Sequence, residues 1–184
     1  MNPGRIALIG LLALVMGAAA PAEETFTATA TVKTAAGAEA KAPVTIVVSR
    51  VTPAAEGEKL LGAFKTGGAV ALRKALADSQ PTGSVRVGNG KPTQTRLTVE
   101  RTTDKGRLLT IVADQPILFL GAGLPESKPK AGYDFAVIDI EVDAKGSGTG
   151  TFAPAATVKV NAGAVVVADY GSEAVRLVDV RRAK

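Results

Sequence analysis

The sequence contains no cysteine, no histidine and no tryptophan. Without cysteine the chain can form no disulfide and no thiolate metal site, and it has no thiol nucleophile. Without histidine it lacks the commonest general base and the commonest metal ligand in proteins. Composition alone therefore excludes catalytic triads that use histidine, and it excludes the usual zinc sites.

The residues that are present are rich in alanine, valine, threonine and glycine, which is typical of a small β-rich domain. The chain carries 22 basic and 17 acidic residues, so its formal net charge is +5. An excess of this size affects solubility and by itself indicates no particular partner.

Residues 1–22 have the pattern of a secretory signal peptide. Arg5 supplies a positive charge, residues 6–16 are uncharged and apolar, and residues 20–22 (Ala-Pro-Ala) supply the small side chains that precede a cleavage site. An uncleaved membrane anchor is the alternative, but the apolar stretch is shorter than the ~20 residues that span a bilayer. We therefore expect a secreted or periplasmic protein that has no transmembrane segment after cleavage.

Cleavage after residue 22 would leave residues 23–184 as a single β-rich globular domain. A domain of this size is expected to bury about 70% of its unfolded-chain surface, so it needs no disulfide or metal to stay folded. The sequence shows no internal repeat of fixed period and no further domain boundary. We therefore expect the exported domain to be held together by its Val, Ile, Leu and Ala core alone.

Alternating polar and apolar residues predict most of the strands. In residues 25–33 the apolar residues at even positions would face one way and the threonines the other. A second strand is predicted over residues 44–51, and several more follow from residue 83 onward. Asn89-Gly90 predicts a two-residue hairpin turn.

Three other segments are expected to lie outside the strands. Residues 34–42 have no strong periodicity and are interpreted as a loop. The glycine-rich residues 145–150 are interpreted as a turn, and the basic residues 181–184 as a frayed tail.

One segment, between the second and third strands, is predicted to be helical. Thr52 would be the N-cap, with Pro53 at the first helical position. Apolar residues then recur at helical spacing until Gly67-Gly68 interrupts them, and the pattern resumes up to Asp78. We expect two short helices joined by a glycine turn, an αα-hairpin, with one bent helix as the alternative.

These elements predict a mainly β (α+β) fold. Eight to ten strands with frequent turn signals favour an antiparallel β-sandwich or small barrel, with the αα-hairpin inserted between the second and third strands. A parallel α/β sheet is disfavoured because it would need a helix at each of several crossovers.

An acidic strand is the first candidate site. Asp139, Glu141 and Asp143 alternate along the sequence, so they would share one face at spacings of about 7 Å. Three carboxylates beside a flexible turn could bind a hard metal ion such as Ca²⁺, the one cofactor that the sequence leaves open. Two of them could act as an acid/base pair of the glycosidase type. The interpretation that the pattern favours is a solvated face that pairs with Lys or Arg across the sheet.

A basic segment is the second candidate site. Residues 83–107 contain two acidic residues and six basic ones, namely Arg86, Lys91, Arg96, Arg101, Lys105 and Arg107. Such a patch could attract an anionic glycan, a phosphate group or an anionic membrane surface. No aromatic residue lies between Phe64 and Phe119, so the segment has no platform for base stacking and nucleic acid is not an expected partner. The alternative is the polar face of a two-sided sheet.

The third candidate is a ligand-binding region around residues 121–132, which are rich in glycine, proline and polar side chains. Phe119, Tyr133 and Phe135 flank this predicted loop. Loops displayed on a rigid β scaffold often carry binding function, so these three aromatic residues are the expected ligand contacts.

No motif is specific enough to name a family. The sequence favours an exported, non-enzymatic binding or structural module of the cell envelope, with an envelope protein or an anionic glycan as its partner. Two alternatives remain open. One is a carboxylate-dependent hydrolase that uses residues 139–143, and the other is a module stabilised by Ca²⁺.

Overall fold

The structure is a computed structural model that describes residues 23–33, 39–117, 131–161, 164–170 and 175–183. Within these ranges the chain forms, in order, β1 (Glu24–Lys33), β2 (Glu39–Val48), α1 (Ala54–Ala77), β3 (Gly83–Val87), β4 (Thr93–Thr95), β5 (Leu97–Thr103), β6 (Gly106–Ala113), β7 (Phe135–Val142), β8 (Ser147–Asn161), β9 (Ala164–Tyr170) and β10 (Val175–Arg182). The predicted signal peptide, Phe119 and most of the predicted loop 121–132 lie outside the described residues.

The strands form one antiparallel sheet that nearly closes on itself. Its order is β4-β3-β2-β1-β10-β8-β7-β6-β5, and β9 pairs with β8 outside this path. Strands β4 and β5 are the two ends of this order, and Arg96 connects them along the chain. Its backbone N–H donates to the carbonyl oxygen of Val112 in β6 at 2.8 Å. The predicted mainly β, antiparallel class is confirmed, and the sheet is barrel-like.

One face of the sheet forms a packed interior. Phe26, Ala28, Ala30 and Val32 of β1 all point into it, as the alternation predicted. Phe26 and Phe152 are both 0% exposed, and aliphatic side chains from the other strands surround them. Full burial of a large apolar side chain contributes about 1.5–3 kcal/mol, so this interior stabilises the fold without a disulfide.

Two glycines allow β8 to lie close against β7. A Cβ atom at Gly148 would overlap the carbonyl of Glu141, and one at Gly150 would overlap the carbonyl of Asp139. Glycine is common where one backbone approaches another this closely, as at the tight bends of barrels. The predicted turn over residues 145–150 is therefore wrong in its second half, which forms the first part of β8.

The helical segment is one kinked helix, so the predicted αα-hairpin is wrong. Gly67 and Gly68 leave helical geometry, Gly68 with a φ of 64°, yet the helix continues beyond them to Ala77. Leu60 before the kink and Leu72 after it are buried in the same cluster, so both halves pack on the same part of the sheet. The glycine pair bends the helix and does not reverse it.

Thr52 does not cap this helix. The N-cap position is occupied by Pro53, which makes no side-chain capping bond. The Thr52 N–H donates to the carbonyl oxygen of Thr98 at 2.8 Å, and the Thr98 N–H donates to Thr52 Oγ1 at 3.0 Å. Thr52 therefore forms hydrogen bonds with β5. They lie near the seam of the barrel, which is the place where β4 and β5, the two ends of the sheet, meet.

Helix α1 covers one part of the outer face of the sheet. Its buried leucines form a second cluster with side chains of β5 to β8, namely Leu97, Val112, Phe135, Val137, Ala153, Ala156 and Val158. Arg73 Nη1, in the second half of the helix, lies 3.1 Å from Asp134 Oδ1, just before β7. Elsewhere the outer face carries polar side chains such as Thr27 and Arg181, together with the exposed valines Val99 and Val178.

Several element boundaries differ from the predictions. Strand β2 begins at Glu39, inside the predicted loop 34–42, because its first residues pair with β1. The tail predicted over residues 181–184 is also wrong in part, since Arg181 lies in β10 and pairs with Thr27. In both segments, pairing with β1 extends a strand that the local sequence marks only weakly.

The turn after β3 is longer than the predicted two-residue turn. The last pair of the β3–β4 ladder joins Val85 to Thr93. Positive φ occurs at Gly88, at 56°, and at neither Asn89 nor Gly90. A type I′ turn at Asn89-Gly90 would need positive φ at both residues, so that prediction is wrong.

Candidate functional site

The predicted acidic strand is β7, and Asp139 and Glu141 lie on its outer face. Isoleucines on both sides of Asp139 fill the interior, so the two carboxylates point outward and are half-buried. Thr110 Oγ1 donates to Asp139 Oδ1 at 2.5 Å, and Lys105 Nζ lies 3.9 Å from Glu141 Oε2. Each carboxylate therefore has a partner across the sheet, which is the pattern of a solvated face.

Asp143 belongs to the turn that connects β7 and β8. Its Oδ1 accepts hydrogen bonds from the backbone N–H groups of Lys145, at 2.8 Å, and Ser147, at 2.9 Å. The hydrogen bond from Ser147 is the main cause that holds the pKa of this carboxyl below its usual 3.8. Asp143 therefore stabilises a turn, as short acidic side chains often do.

The three carboxylates are not brought together. Asp139 and Glu141 face different partners, and Asp143 is bound to its own turn. In the described part of the chain, no three acidic side chains are grouped so that they could hold a metal ion. These contacts give no support to a Ca²⁺ site, which stays a prediction.

The predicted aromatic contacts are dispersed. Phe135 is 0% exposed beneath α1, so its ring offers no surface to a ligand. The Tyr133 hydroxyl donates a short hydrogen bond to Asp169 Oδ2 of β9, and this bond raises the pKa of Tyr133 above its ordinary 10.0. Phe119 lies outside the described residues.

The six predicted basic residues differ in their surroundings. Arg86, Lys91 and Arg101 are exposed. Lys105 is exposed too, at 82%, and its Nζ lies 3.9 Å from Glu141 Oε2. Arg96 and Arg107 are half-buried against acidic partners, with Arg96 Nε 3.9 Å from Asp114 Oδ2. Arg96 Nη1 also donates to the carbonyl oxygen of Ser79 at 2.9 Å. The local excess of charge in the sequence is therefore partly neutralised in the fold.

A cluster of ion pairs closes one end of the barrel. Arg107 Nη2 lies 2.7 Å from both carboxylate oxygens of Glu24, and Arg182 Nη1 lies 3.0 Å from Glu24 Oε1. Arg107 Nη1 also donates to Glu100 Oε2 at 3.3 Å, and its guanidinium lies 5.8 Å from the centre of the Phe26 ring. No local pattern in the sequence predicts this cluster, because its members come from β1, β5, β6 and β10.

Burial and hydrogen bonding oppose each other at Glu24. Burial acts to raise the pKa of this carboxyl, but the hydrogen bonds from Arg107 and Arg182 outweigh it and hold the pKa below its usual 4.5. Glu24 is therefore a stabilising anion at neutral pH and has no tendency to act as a proton donor there.

A shallow cavity of about 280 Å³ lies beside this cluster, lined by Glu24, Val48, Ser49, Arg50, Val51, Glu100 and Arg107. Arg50 binds Glu56 through two hydrogen bonds of 2.8 and 3.0 Å, and it also donates to the carbonyl oxygens of Gln80 and Pro81. Both arginines of the cavity are thus engaged by the protein itself. The cavity therefore offers no free cation to an anionic ligand.

A cationic face that the sequence analysis missed lies on β10, β1, β2 and β3. In one row across these strands, Arg181 pairs with Thr27, Thr27 with Thr45, and Thr45 with Arg86. Arg181 and Arg86 are exposed, and they are 95 positions apart in the sequence, so only the strand pairing places them on one row. The alternation of residues 25–33 predicts that β1 has a polar outer face. It does not predict that Arg181 and Arg86 lie on the same face.

Searches against protein-family models, curated proteins and solved structures found no match. No helix in the described ranges is both long and apolar enough to cross a membrane. The class of the protein therefore rests on its own fold, a barrel-like antiparallel sheet with one kinked helix on its outer face.

Proposed function

We propose that this protein is an exported, non-catalytic binding module that acts at the cell envelope, with an envelope glycan or envelope protein as its partner. The observation that carries the proposal is the outer face of β10, β1, β2 and β3. This face is polar and cationic, while the candidate catalytic carboxylates are engaged in structural contacts elsewhere.

The position of β1 supports export. The strand begins at Glu24, just after the expected cleavage point, and the Glu23 side chain accepts a hydrogen bond of 2.8 Å from Ser49 Oγ. Removal of residues 1–22 would therefore leave every described strand intact. A domain without cysteine also has no thiol that an oxidising compartment could cross-link.

A fractionation experiment tests the export part of the proposal. The full chain is produced in a bacterial host, and each fraction is analysed by intact mass. We expect a product that begins at Glu23 outside the cytoplasm. A full-length cytoplasmic product would contradict export.

A sedimentation experiment tests the binding part. Purified protein that begins at Glu23 is mixed with washed bacterial envelopes, and the fraction that sediments is measured against envelope concentration. We expect saturable binding that heat-denatured protein does not reproduce. Protein that stays in the supernatant at every envelope concentration would contradict the proposed function.

The hydrolase alternative predicts a different result. Asp139 and Glu141 would have to act as a pair about 7 Å apart on one strand face. That alternative expects turnover in a broad panel of glycosides, and Asp139→Asn would abolish it. The binding proposal expects no turnover by either protein.

The melting temperature distinguishes the alternative of a Ca²⁺-stabilised module from the proposed binding module. An ion that binds the native state must raise the melting temperature. That alternative predicts that a chelator lowers the melting temperature of the purified protein, whereas the binding proposal expects no change.

A further inference from the structure

The cationic face is continuous across four strands. On β10, β1, β2 and β3 the side chains next to Phe26 and Ile46 in sequence point away from the interior, because those two residues are buried within it. Neighbouring strands are about 4.8 Å apart, so three spacings separate Arg181 from Arg86 by about 14 Å at their Cα atoms.

A second row lies further along the same strands. Thr31 of β1 pairs with Arg176 of β10 on one side and with Lys41 of β2 on the other. Lys41 Nζ lies 3.4 Å from Glu39 Oε1, so this lysine is already neutralised, but Arg176 is exposed. Arg176 and Arg181 are about 15 Å apart along the strand.

The arginines of this face have no acidic partner among the described residues. Arg86, Arg176 and Arg181 form none of the ion pairs found there. Asp179, exposed at a bulge of β10 with a φ of 53°, is also unpaired within the described ranges. With Lys41 and Glu39 counted as a neutral pair, the described residues of the face present three guanidinium groups and the single carboxylate of Asp179, and they complement an anion with several separated charges.

The groups between the arginines favour a polysaccharide as that anion. Thr27, Thr45 and Thr31 carry hydroxyl groups on this face. Thr27 Oγ1 donates to the carbonyl oxygen of Arg181 at 3.5 Å and can still accept a hydrogen bond from the hydroxyl group of a sugar. Among the described residues of this face, Val178 is the exposed large hydrophobic side chain, at 36%, which is too little apolar surface to enter a lipid bilayer. The described residues of these four strands also present no exposed aromatic ring for base stacking.

We propose that the outer face of β10, β1, β2 and β3 binds a strand of an acidic polysaccharide. Arg181, Arg86 and Arg176 bind its carboxylate or sulfate groups, and the threonines between them bind its hydroxyl groups. This inference rests on the proposed envelope-binding function and names the ligand class for it.

The experiment measures binding of the mature protein to polygalacturonate, with neutral dextran as the comparison polymer, by affinity electrophoresis and calorimetry. We expect binding to polygalacturonate that weakens with added salt, and no binding to dextran. The variant R86Q/R176Q/R181Q should bind polygalacturonate about tenfold or more weakly, because each arginine supplies charge-assisted hydrogen bonds. The variant K59Q/K65Q/K74Q loses the same charge at exposed positions of α1 and should bind within about twofold of the parent protein.

A second variant tests the hydroxyl groups. T27V/T45V keeps the charge and the shape of the face, and we expect it to weaken polygalacturonate binding severalfold. Unchanged binding by this variant would show attraction by charge alone and would overturn the assignment of the threonines. Equal loss in the two triple variants would overturn the location of the site.

The remaining outcomes separate the ligand class from the proposed function. Envelope binding that persists in R86Q/R176Q/R181Q overturns this inference and leaves the proposed function standing. If the protein binds anionic phospholipid vesicles more tightly than polygalacturonate, the ligand is a membrane surface and the polysaccharide proposal is overturned. If the parent protein self-associates and R86Q/R176Q/R181Q does not, the face binds a second copy of the chain and the polysaccharide proposal is overturned.

Discussion

Arg107 places one guanidinium nitrogen 2.7 Å from both carboxylate oxygens of Glu24, across 83 positions of sequence. The side chains of Arg107 and Glu24 are 25% and 22% exposed, so water screens this pair less than it screens a pair on an open surface. Arg182 adds a contact to the same carboxylate. The pair joins β1 to β6 at the end of the barrel where the charged cluster lies.

The first prediction concerns loss of the Glu24 charge. Glu24→Gln should lower the free energy of unfolding by about 1–3 kcal/mol, because it leaves a partly buried guanidinium without its main anion. Urea unfolding monitored by circular dichroism measures the change. Glu100→Gln is the matched control, and its effect should be smaller because Glu100 makes one contact of 3.3 Å and is 38% exposed. Equal effects would contradict the central place of Glu24.

The second prediction concerns stability at acid pH. The pKa of Glu24 is lower in the folded protein than its ordinary 4.5, so its contribution is present above that pH and is lost as the pH falls below it. Arg50 lowers the pKa of Glu56 in the same way. The melting temperature should therefore fall between pH 5 and pH 3, and the fall should be shallower in Glu24→Gln. Parallel curves for the two proteins would contradict this assignment.

The third prediction concerns a buried group of hydroxyls near the seam of the barrel. Thr82 Oγ1 lies 3.1 Å from Thr95 Oγ1 and accepts from Thr98 Oγ1 at 2.9 Å, and all three residues are at most 1% exposed. Thr82→Val should cost about 1–3 kcal/mol, because it leaves two buried hydroxyls without this partner. Thr98→Val leaves the pair of Thr82 and Thr95 intact and should cost less. The reverse order in chemical denaturation would contradict this hydrogen-bond arrangement.

The fourth prediction concerns Arg50, which connects the two ends of α1. Its guanidinium binds Glu56 near the helix start and the carbonyl oxygens of Gln80 and Pro81 after the helix end. Arg50→Lys should lower the free energy of unfolding by about 1–2 kcal/mol, since an ammonium group cannot reproduce this fork of donors. Arg86→Lys, at an exposed position, should change it by less than about 0.5 kcal/mol. Similar values for the two variants would contradict the role given to Arg50.

The fifth prediction concerns the close approach of β8 and β7. Gly148→Ala should destabilise the protein by several kcal/mol or prevent folding, because the added methyl group meets the backbone of Glu141. Gly57→Ala is the control, since the added methyl group meets no atom within 4 Å and alanine favours the helix. That variant should be more stable by about 0.5–1 kcal/mol. Melting temperatures of the two purified variants measure both effects.

The strands with strict alternation were the ones that the sequence predicted well. Phe26 to Val32 show period two, and their apolar members are buried in the interior. The acidic strand was also placed correctly, as β7. The failures occurred where long-range pairing overrides a weak local signal. Glu39 and Arg181 lie in strands because β1 pairs with them, although their own segments resemble a loop and a tail.

The candidate sites depend more on tertiary structure than the strands do, because residues that are close in sequence need not be close in space. Arg86 and Arg107 were grouped by their nearness in sequence, yet one is exposed beside Thr45 and the other is paired with Glu24. The arginine that shares a row with Arg86 is Arg181, from the other end of the chain. No local pattern could have joined them, since their nearness depends on the register of three strand pairs.

Composition and local pattern are enough to establish which chemistry this protein cannot perform and what kind of sheet it forms. The absence of cysteine and histidine excludes whole classes of chemistry in any fold, and the period-two pattern depends only on the local geometry of a strand. The tertiary structure alone decided which charges meet. Strand order and register bring Glu24 to Arg107 and place Arg181 on one row with Arg86, because they are set by the packing of the whole interior.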